Sequence, residues 1–404
     1  MMPLGNRVAG HAAGRKRVCV VSSLPFGAVD LGVGRVVYRQ AQGLAERGWE
    51  VHVVTPGGKD NPMPFSTSPH IHYHRAGDVS TVHPPLLGPL VSSVVENFDI
   101  GLVYAHTFSA IYQLRPRLPR ERSCRVVGVC QHSIFGELEA LAKHGALLYD
   151  GLHLAPIRLS YLWKEIRGIS MVDHMVVPSR FTLSELQRIY HVRRENLTII
   201  PDGVDWLGFS ARPNPFHLRT KLGMQGSFVL LFIGGIEARK GISTLISAFR
   251  LARETCSGLR LIIIGRGPAE TKLARLIERF GLQRDVTRIP RVSMEELPTF
   301  YEVADLVVIP SLYEGFGLVL LESLASDRPV IASSIPPFKE LLNDSNAETM
   351  FAPESATKLA ELICDRWGAR DREPAHSTLA HRRIETFDWS HVSDRLDSFL
   401  ASWS

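Results

Sequence analysis

Two series of short apolar runs, each run followed by a helix-spaced segment, constrain this chain most. The first series starts at Val18-Cys19-Val20-Val21, an unbroken apolar stretch of the kind buried on both faces of a sheet. A glycine-bearing loop follows. Then come Val33, Val37, Ala41 and Leu44 on one helical face, with Gly48 just past the end as a C-cap. Further strands are predicted at 49–55, 101–104, 126–130, 174–177 and 197–200. The second series opens at Phe228-Val229-Leu230-Leu231-Phe232-Ile233 and continues at 260–264, 286–289, 305–309 and 329–332. Strand alternating with helix predicts parallel sheets covered by helices on both sides. The expected fold class is α/β, with two Rossmann-like domains facing each other across a cleft.

The 404 residues are enough for two such domains with real cores. Pro201-Asp202-Gly203-Val204-Asp205 breaks the rhythm with Pro and Gly and is the expected hinge. The predicted layout is a loose tail over 1–16, an N-terminal domain over 17–204 and a C-terminal domain over 205–387. The last helix, about 388–400, carries Trp389, Val392, Leu396 and Leu400 at helical spacing. It is expected to cross back onto the N-terminal domain.

Net charge is +5, which favours anionic partners such as sugar nucleotides or an acidic membrane surface. The basic residues are spread out, and no zinc finger, RNP-type stretch or basic arm is visible, so nucleic acid is not an expected partner. The five cysteines are odd in number and contain no CxxC, which argues against a disulfide framework. The segment 1–17 is charged but leads into no signal-like apolar region, and no run is long enough to span a bilayer. The expected location is the cytoplasm, with contact to the inner face of a membrane left open.

The strongest local signal is Pro310-Ser311-Leu312-Tyr313-Glu314-Gly315-Phe316-Gly317-Leu318-Val319-Leu320-Leu321-Glu322. A strand ends at Ile309, a glycine-rich loop follows, and a helix begins near Gly317. Unpaired N–H groups at a helix start suit a diphosphate, and glycine lets it approach the backbone closely. Glu314 in the loop and Glu322 in the helix are carboxylates suited to accepting hydrogen bonds from sugar and ribose hydroxyls. A capping Glu and a solvated helix Glu are the plainer alternatives.

This segment resembles the signature of the group 1, or family four, retaining glycosyltransferases: two glutamates eight positions apart around a Gly-Phe-Gly loop. Phe232-Ile233-Gly234-Gly235-Ile236-Glu237-Ala238-Arg239-Lys240-Gly241 resembles the family's donor-phosphate clamp. Ile263-Ile264-Gly265-Arg266-Gly267-Pro268 resembles its next strand and turn. Arg291-Val292-Ser293, with Glu295-Glu296-Leu297, resembles the loop that receives the nucleobase. The hinge resembles the family's Asn-Gly-Val-Asp.

The resemblance implies the GT-B architecture and a nucleotide diphosphate-sugar donor carrying uracil, guanine or adenine. It implies catalytic roles for His132, Lys240 and Glu314. Donor contacts are implied at Gly32, Gly34, Gly234, Gly235, Arg239, Arg266, Arg291 and Val292, at Gly315, Phe316, Gly317, Leu318 and Val319, and at Glu322. Lys240 would stabilise charge on the leaving group. The family usually has Arg where Gly235 stands, so Arg239 or Arg266 is expected to replace that cation. Leu31-Gly32-Val33-Gly34-Arg35 resembles the family's first glycine loop, with Leu31 where a Gly is usual. His132, at the end of the strand before Ser133, is expected to face the reacting sugar, and His106 is a second candidate at a similar strand end. Ser179 reads as an N-cap.

No Asp-x-Asp motif and no His/Cys cluster with zinc spacing occurs, so no metal or other cofactor is expected. The implied mechanism is front-face transfer with retention. The alternatives are a nucleotide-sugar epimerase or a non-catalytic nucleotide-sugar binding protein of the same fold. The acceptor, whether a small molecule, a lipid-linked sugar or a polysaccharide, stays open. The stretch 136–169 interleaves Leu, Tyr and Trp with Lys143, Arg158, Lys164 and Arg167. It reads as core helices, an acceptor wall or a membrane-facing surface.

Overall fold

The computed structural model describes residues 16–24, 32–57, 68–78, 87–114, 124–147, 155–211, 213–342, 349–370 and 384–403. The expected tail and Leu31 lie outside the described residues.

Two all-parallel sheets organise the chain. The N-terminal sheet holds β1 (Arg17–Ser22), β2 (Glu50–Gly57), β3 (Ile71–Asp78), β4 (Leu102–His106), β5 (Arg125–Val129), β6 (His174–Val177) and β7 (Leu197–Ile199), ordered 3-2-1-4-5-6-7. The C-terminal sheet holds β8 (Phe228–Ile233), β9 (Leu259–Ile264), β10 (Val286–Ile289), β11 (Leu306–Ile309), β12 (Val330–Ser333) and β13 (Met350–Phe351), ordered 10-9-8-11-12-13. Every strand pairing is parallel. This is the doubly wound α/β arrangement expected from the alternating runs. Strand order reverses between β1 and β4 and between β8 and β11, and ligands of such sheets bind outside the strand ends at that point.

Two strands were not expected. β3 reads Ile71-His72-Tyr73-His74-Arg75, too polar to register as a buried run, because it is an edge strand with mostly half-exposed side chains. β13 is only two residues long and also lies at an edge.

Each sheet has an apolar cluster on both faces. The helix Trp389–Ala401 places Val392, Leu396 and Leu400 in the N-terminal core against Val37, Ala41 and Leu44. Asp397 ties it further, accepting from Trp49 Nε1 at 2.7 Å and pairing with Lys16 at 2.9 Å. The chain therefore passes twice between the halves. The two passages lie side by side: Val204 N–H donates to Phe387 O (2.9 Å) and Trp389 N–H to Val204 O (3.2 Å). Gly203 is needed there because a Cβ would sit 2.5 Å from the Trp389 ring.

All five cysteines are free thiols, and Cys256 and Cys364 sulfurs lie 2.9 Å apart. Among the described residues no helix is long and apolar enough to cross a membrane.

Candidate active site

A cavity of about 430 Å³ opens between the two sheets, within the usual range for small-ligand sites. Its walls follow the C-terminal ends of strands. Leu24 comes after β1, Gln131 and His132 after β5, Gly234 and Gly235 after β8, and Gly265 and Arg266 after β9.

The helix Leu318–Ala325 begins at this cavity. Its N-cap is Gly317, at φ 134°, with no side chain capping the first turn. The orphan amides of that turn and the positive end of the helix dipole make an anion site. The helix Gly32–Glu46 starts opposite: a Cβ on Gly32 would lie 3.5 Å from Leu318 Cδ1. Two helix starts thus converge on one space. The loop before the first of them also touches the other half. Gly315 sits so close to the backbone after β5 that a Cβ would be 1.8 Å from Gln131 O, so only glycine fits.

Glu314 lines the cavity and is nearly buried. It accepts from Lys240 Nζ at 2.5 Å, from Ser311 Oγ at 2.8 Å and from Arg239 at 3.2 Å. Burial alone would raise its carboxyl, but Lys240 and Arg239 hold it below the ordinary carboxylate range. Arg239 is more heavily committed. It contacts Glu237 at 2.7 Å and Glu137 of the opposite half at 3.8 Å as well as Glu314. Arg266 lines the cavity and is exposed, with no ion pair among the described residues. At Gly235 a side chain would meet Glu237 Oε1 at 2.7 Å, the carboxylate Arg239 holds.

His132 lines the N-terminal wall. Its Nε2 is 3.4 Å from Glu137, and its ring packs edge-on to Tyr313. Burial raises the Glu137 carboxyl, while His132 and Arg239 bring it below its ordinary value. His106, the other candidate, stays out of the cavity: it is fully buried at the end of β4 with both ring nitrogens unpartnered. Burial pushes it down to about 3, so its ring stays neutral.

Gly32, Gly234, Arg291, Val292, Gly315, Phe316, Gly317, Leu318 and Val319 all line the cavity. Gly34 does not; it is buried within the first helix. Glu322 sits behind the wall rather than in it. It is buried, receives a hydrogen bond from Tyr301 OH at 2.7 Å, and is covered by the Arg35 guanidinium, which does line the cavity. Reaching Glu322 therefore requires Arg35 to yield or to share it.

Two residues of the cavity and one beside it have no role in the sequence reading. Arg35, although in the quoted first loop, was given no role; its position in a first helical turn was the available signal. Asp202 lines the cavity, fully buried, and accepts from Gln131 Nε2 at 3.1 Å. Burial pushes its carboxyl up to about 7. It stands where the resembled hinge has Asn, which was the readable signal. Tyr313 crosses between the halves: its OH donates to Glu185 at 2.7 Å and receives Ser133 N–H at 3.1 Å. Nothing local in the sequence points to that contact.

The family model "Glycosyl transferases group 1" matches residues 217–366, and "Glycosyltransferase Family 4" matches 32–206. A D-inositol 3-phosphate glycosyltransferase of Pseudarthrobacter chlorophenolicus is 30% identical over 327 residues, 76% of each chain. The chain belongs to the group 1 glycosyltransferases. Within this family, the same-named protein of Nocardia farcinica is 29% identical over 65% of this chain. That match spans only 59% of the relative's own length. Among solved structures, the sucrose-phosphate synthase of Thermosynechococcus elongatus has a TM-score of 0.79 at 19% identity, covering 96% of this chain and 99% of that one. Anabaena HepE in complex with UDP and glucose has a TM-score of 0.73 at 18% identity, covering 96% and 100%. These likenesses show that the fold, two parallel sheets each flanked by helices, is the GT-B fold.

Proposed function

We propose that this group 1 glycosyltransferase moves a sugar from a nucleotide diphosphate donor to an acceptor, with retention of anomeric configuration. One observation carries the reading. An uncapped helix start, Lys240 and the Glu314 carboxylate paired with it meet in one cavity at the switch points of two Rossmann-like sheets. The complex of HepE with UDP and glucose supports a nucleotide-sugar donor.

In this reading the diphosphate lies on the amides after Gly317, and the nucleobase lies toward Arg291 and Val292. The bond from the sugar's anomeric carbon to phosphate breaks, and the acceptor oxygen bonds to the same face. The acceptor's proton passes to the departing phosphate oxygen. Lys240 and the helix dipole stabilise the developing charge. Glu314 is ion-paired at both oxygens, so its role is to grip sugar hydroxyls rather than to attack carbon. His132 orients the sugar from the opposite wall. The density of protein cations around the diphosphate position supports transfer without a divalent ion; activity retained in EDTA would be the direct check.

The acceptor side favours a lipid-linked substrate over a free metabolite, on one feature. The helix Ala155–Ile169 buries only Glu165 and Gly168 among its residues and exposes Ile157, Leu159, Tyr161, Trp163 and Ile166. Arg158, Lys164 and Arg167 lie among them, a composition suited to an anionic lipid surface. Absence of pelleting with phosphatidylglycerol vesicles would remove this part. For the donor, a thermal-shift panel of UDP-, GDP- and ADP-sugars should single out one base, since a ligand bound only by the folded state raises its stability. If none stabilises the protein and none is hydrolysed or transferred, the assignment fails.

A further inference from the structure

At the outer edge of the N-terminal sheet, metal-binding side chains gather away from the cleft. β2 and β3 pair with His52 beside His72 and Val54 beside His74. Side chains two positions apart on a strand share a face, so Glu50, His52, His72 and His74 stand together. Glu50 and His72 lie where their strands begin, whereas the sugar cavity follows strand ends.

The geometry within the group is specific. His52 is fully buried, and its Nε2 has no hydrogen-bond partner. Its Nδ1 lies 3.0 Å from Nε2 of His74. With Nδ1–H donating to His74, the Nε2 lone pair is left directed at Glu50 Oε1, 3.5 Å away. Nε2 of His72 lies 3.8 Å from the same oxygen, and the three atoms all fall within 4.8 Å of one another. A tetrahedral zinc ion with bonds of about 2.0–2.1 Å spaces its ligand atoms about 3.4 Å apart. Small side-chain turns therefore bring these three atoms to bonding positions. The other Glu50 oxygen is held by Arg17 Nε at 3.1 Å, which leaves Oε1 turned toward the imidazoles. Phe98 packs against the His52 ring, with centroids 4.2 Å apart. The His72 side chain is 43% exposed, so an ion can enter from solvent and water can complete its shell.

We propose that Glu50, His52 and His72 bind a divalent transition-metal ion, zinc by the nature of the donors, with His74 and Arg17 orienting the ligands. Two imidazoles and one carboxylate suit zinc and leave a fourth position for water. Hydrogen bonds from a second layer, here His74 to His52 and Arg17 to Glu50, are the usual means of fixing such ligands. The ion would join β3 to β2 and secure the edge of the sheet.

The test uses chelator-stripped full-length protein titrated with Zn²⁺ by calorimetry, and with Co²⁺ followed by visible absorption. The expected result is one ion per chain, with cobalt bands of four-coordinate geometry. His72→Ala, at a half-exposed position that folding tolerates, and Glu50→Gln should each weaken Zn²⁺ at least about tenfold. His217→Ala, at an exposed site elsewhere, should change nothing. Zn²⁺ should raise the Tm of the parent protein but not that of His72→Ala. Absence of stoichiometric binding, or equal binding by the parent and both ligand variants, overturns the proposal.

Discussion

The two walls of the cavity treat charge in opposite ways. On the C-terminal wall, Glu314 is held ionised by Lys240 and Arg239, and Arg239 itself is held charged by Glu237, Glu314 and Glu137 against the cost of burial. On the N-terminal side, burial dominates. It pushes Asp202 up to about 7, and behind the wall it pushes Glu165 and Glu185 up to about 7 as well. Glu137 is the exception, and Arg239 from the opposite wall is part of the reason. The C-terminal wall is thus built with fixed charge. The N-terminal half carries carboxyls whose protons come and go near neutrality.

The sharpest way to break this contrast is at Lys240. Lys240→Ala should cut turnover about 10²–10³-fold while leaving circular dichroism unchanged, since it removes a preorganised cation from the leaving group. A loss below tenfold would locate the donor charge elsewhere. Tyr313→Phe tests the seam between the walls. It leaves the buried Glu185 carboxyl and Ser133 N–H without their partner, which costs about 1–3 kcal/mol in urea unfolding. No measurable loss would mean water replaces the hydroxyl.

Arg35 belongs to the N-terminal half but reaches Glu322 of the C-terminal half. Arg35→Ala should weaken the nucleoside diphosphate whose sugar the thermal-shift panel singles out about tenfold, or about 1.4 kcal/mol, in calorimetry. An unchanged Kd would confine Arg35 to covering Glu322. The smallest effect concerns Asp202. Its pKa is raised, from 3.8 to about 7, so the folded state keeps a proton that the unfolded chain releases. Stability from this site is therefore present at low pH. It falls as pH rises between the two values, and the cost is complete above about 7. Asp202→Asn should match the parent near pH 4 and exceed it at pH 8, by about 2–4 °C of Tm for each kcal/mol recovered. Parallel pH profiles would place the sensitivity at Glu165 or Glu185.

Residue pattern alone was enough to reveal the two α/β series, the Gly-Phe-Gly loop with Glu314 and Glu322, the Ser179 cap and the final amphipathic helix. Each is local: apolar spacing, capping chemistry and glycine placement act within a few residues. Ser179 Oγ does accept from Thr182 N–H at 3.0 Å, as its type and position suggest. Tertiary structure alone decided what covers Glu322, because Arg35 lies 287 residues away in sequence and meets it only when two sheets face each other. It also decided that His132, three residues past β5, reaches the cavity while His106, the last residue of β4, stays in the packed interior. The histidines of β2 and β3 make the same point. Their ligand atoms converge through parallel pairing of two strands, and no spacing rule along one chain segment carries that information.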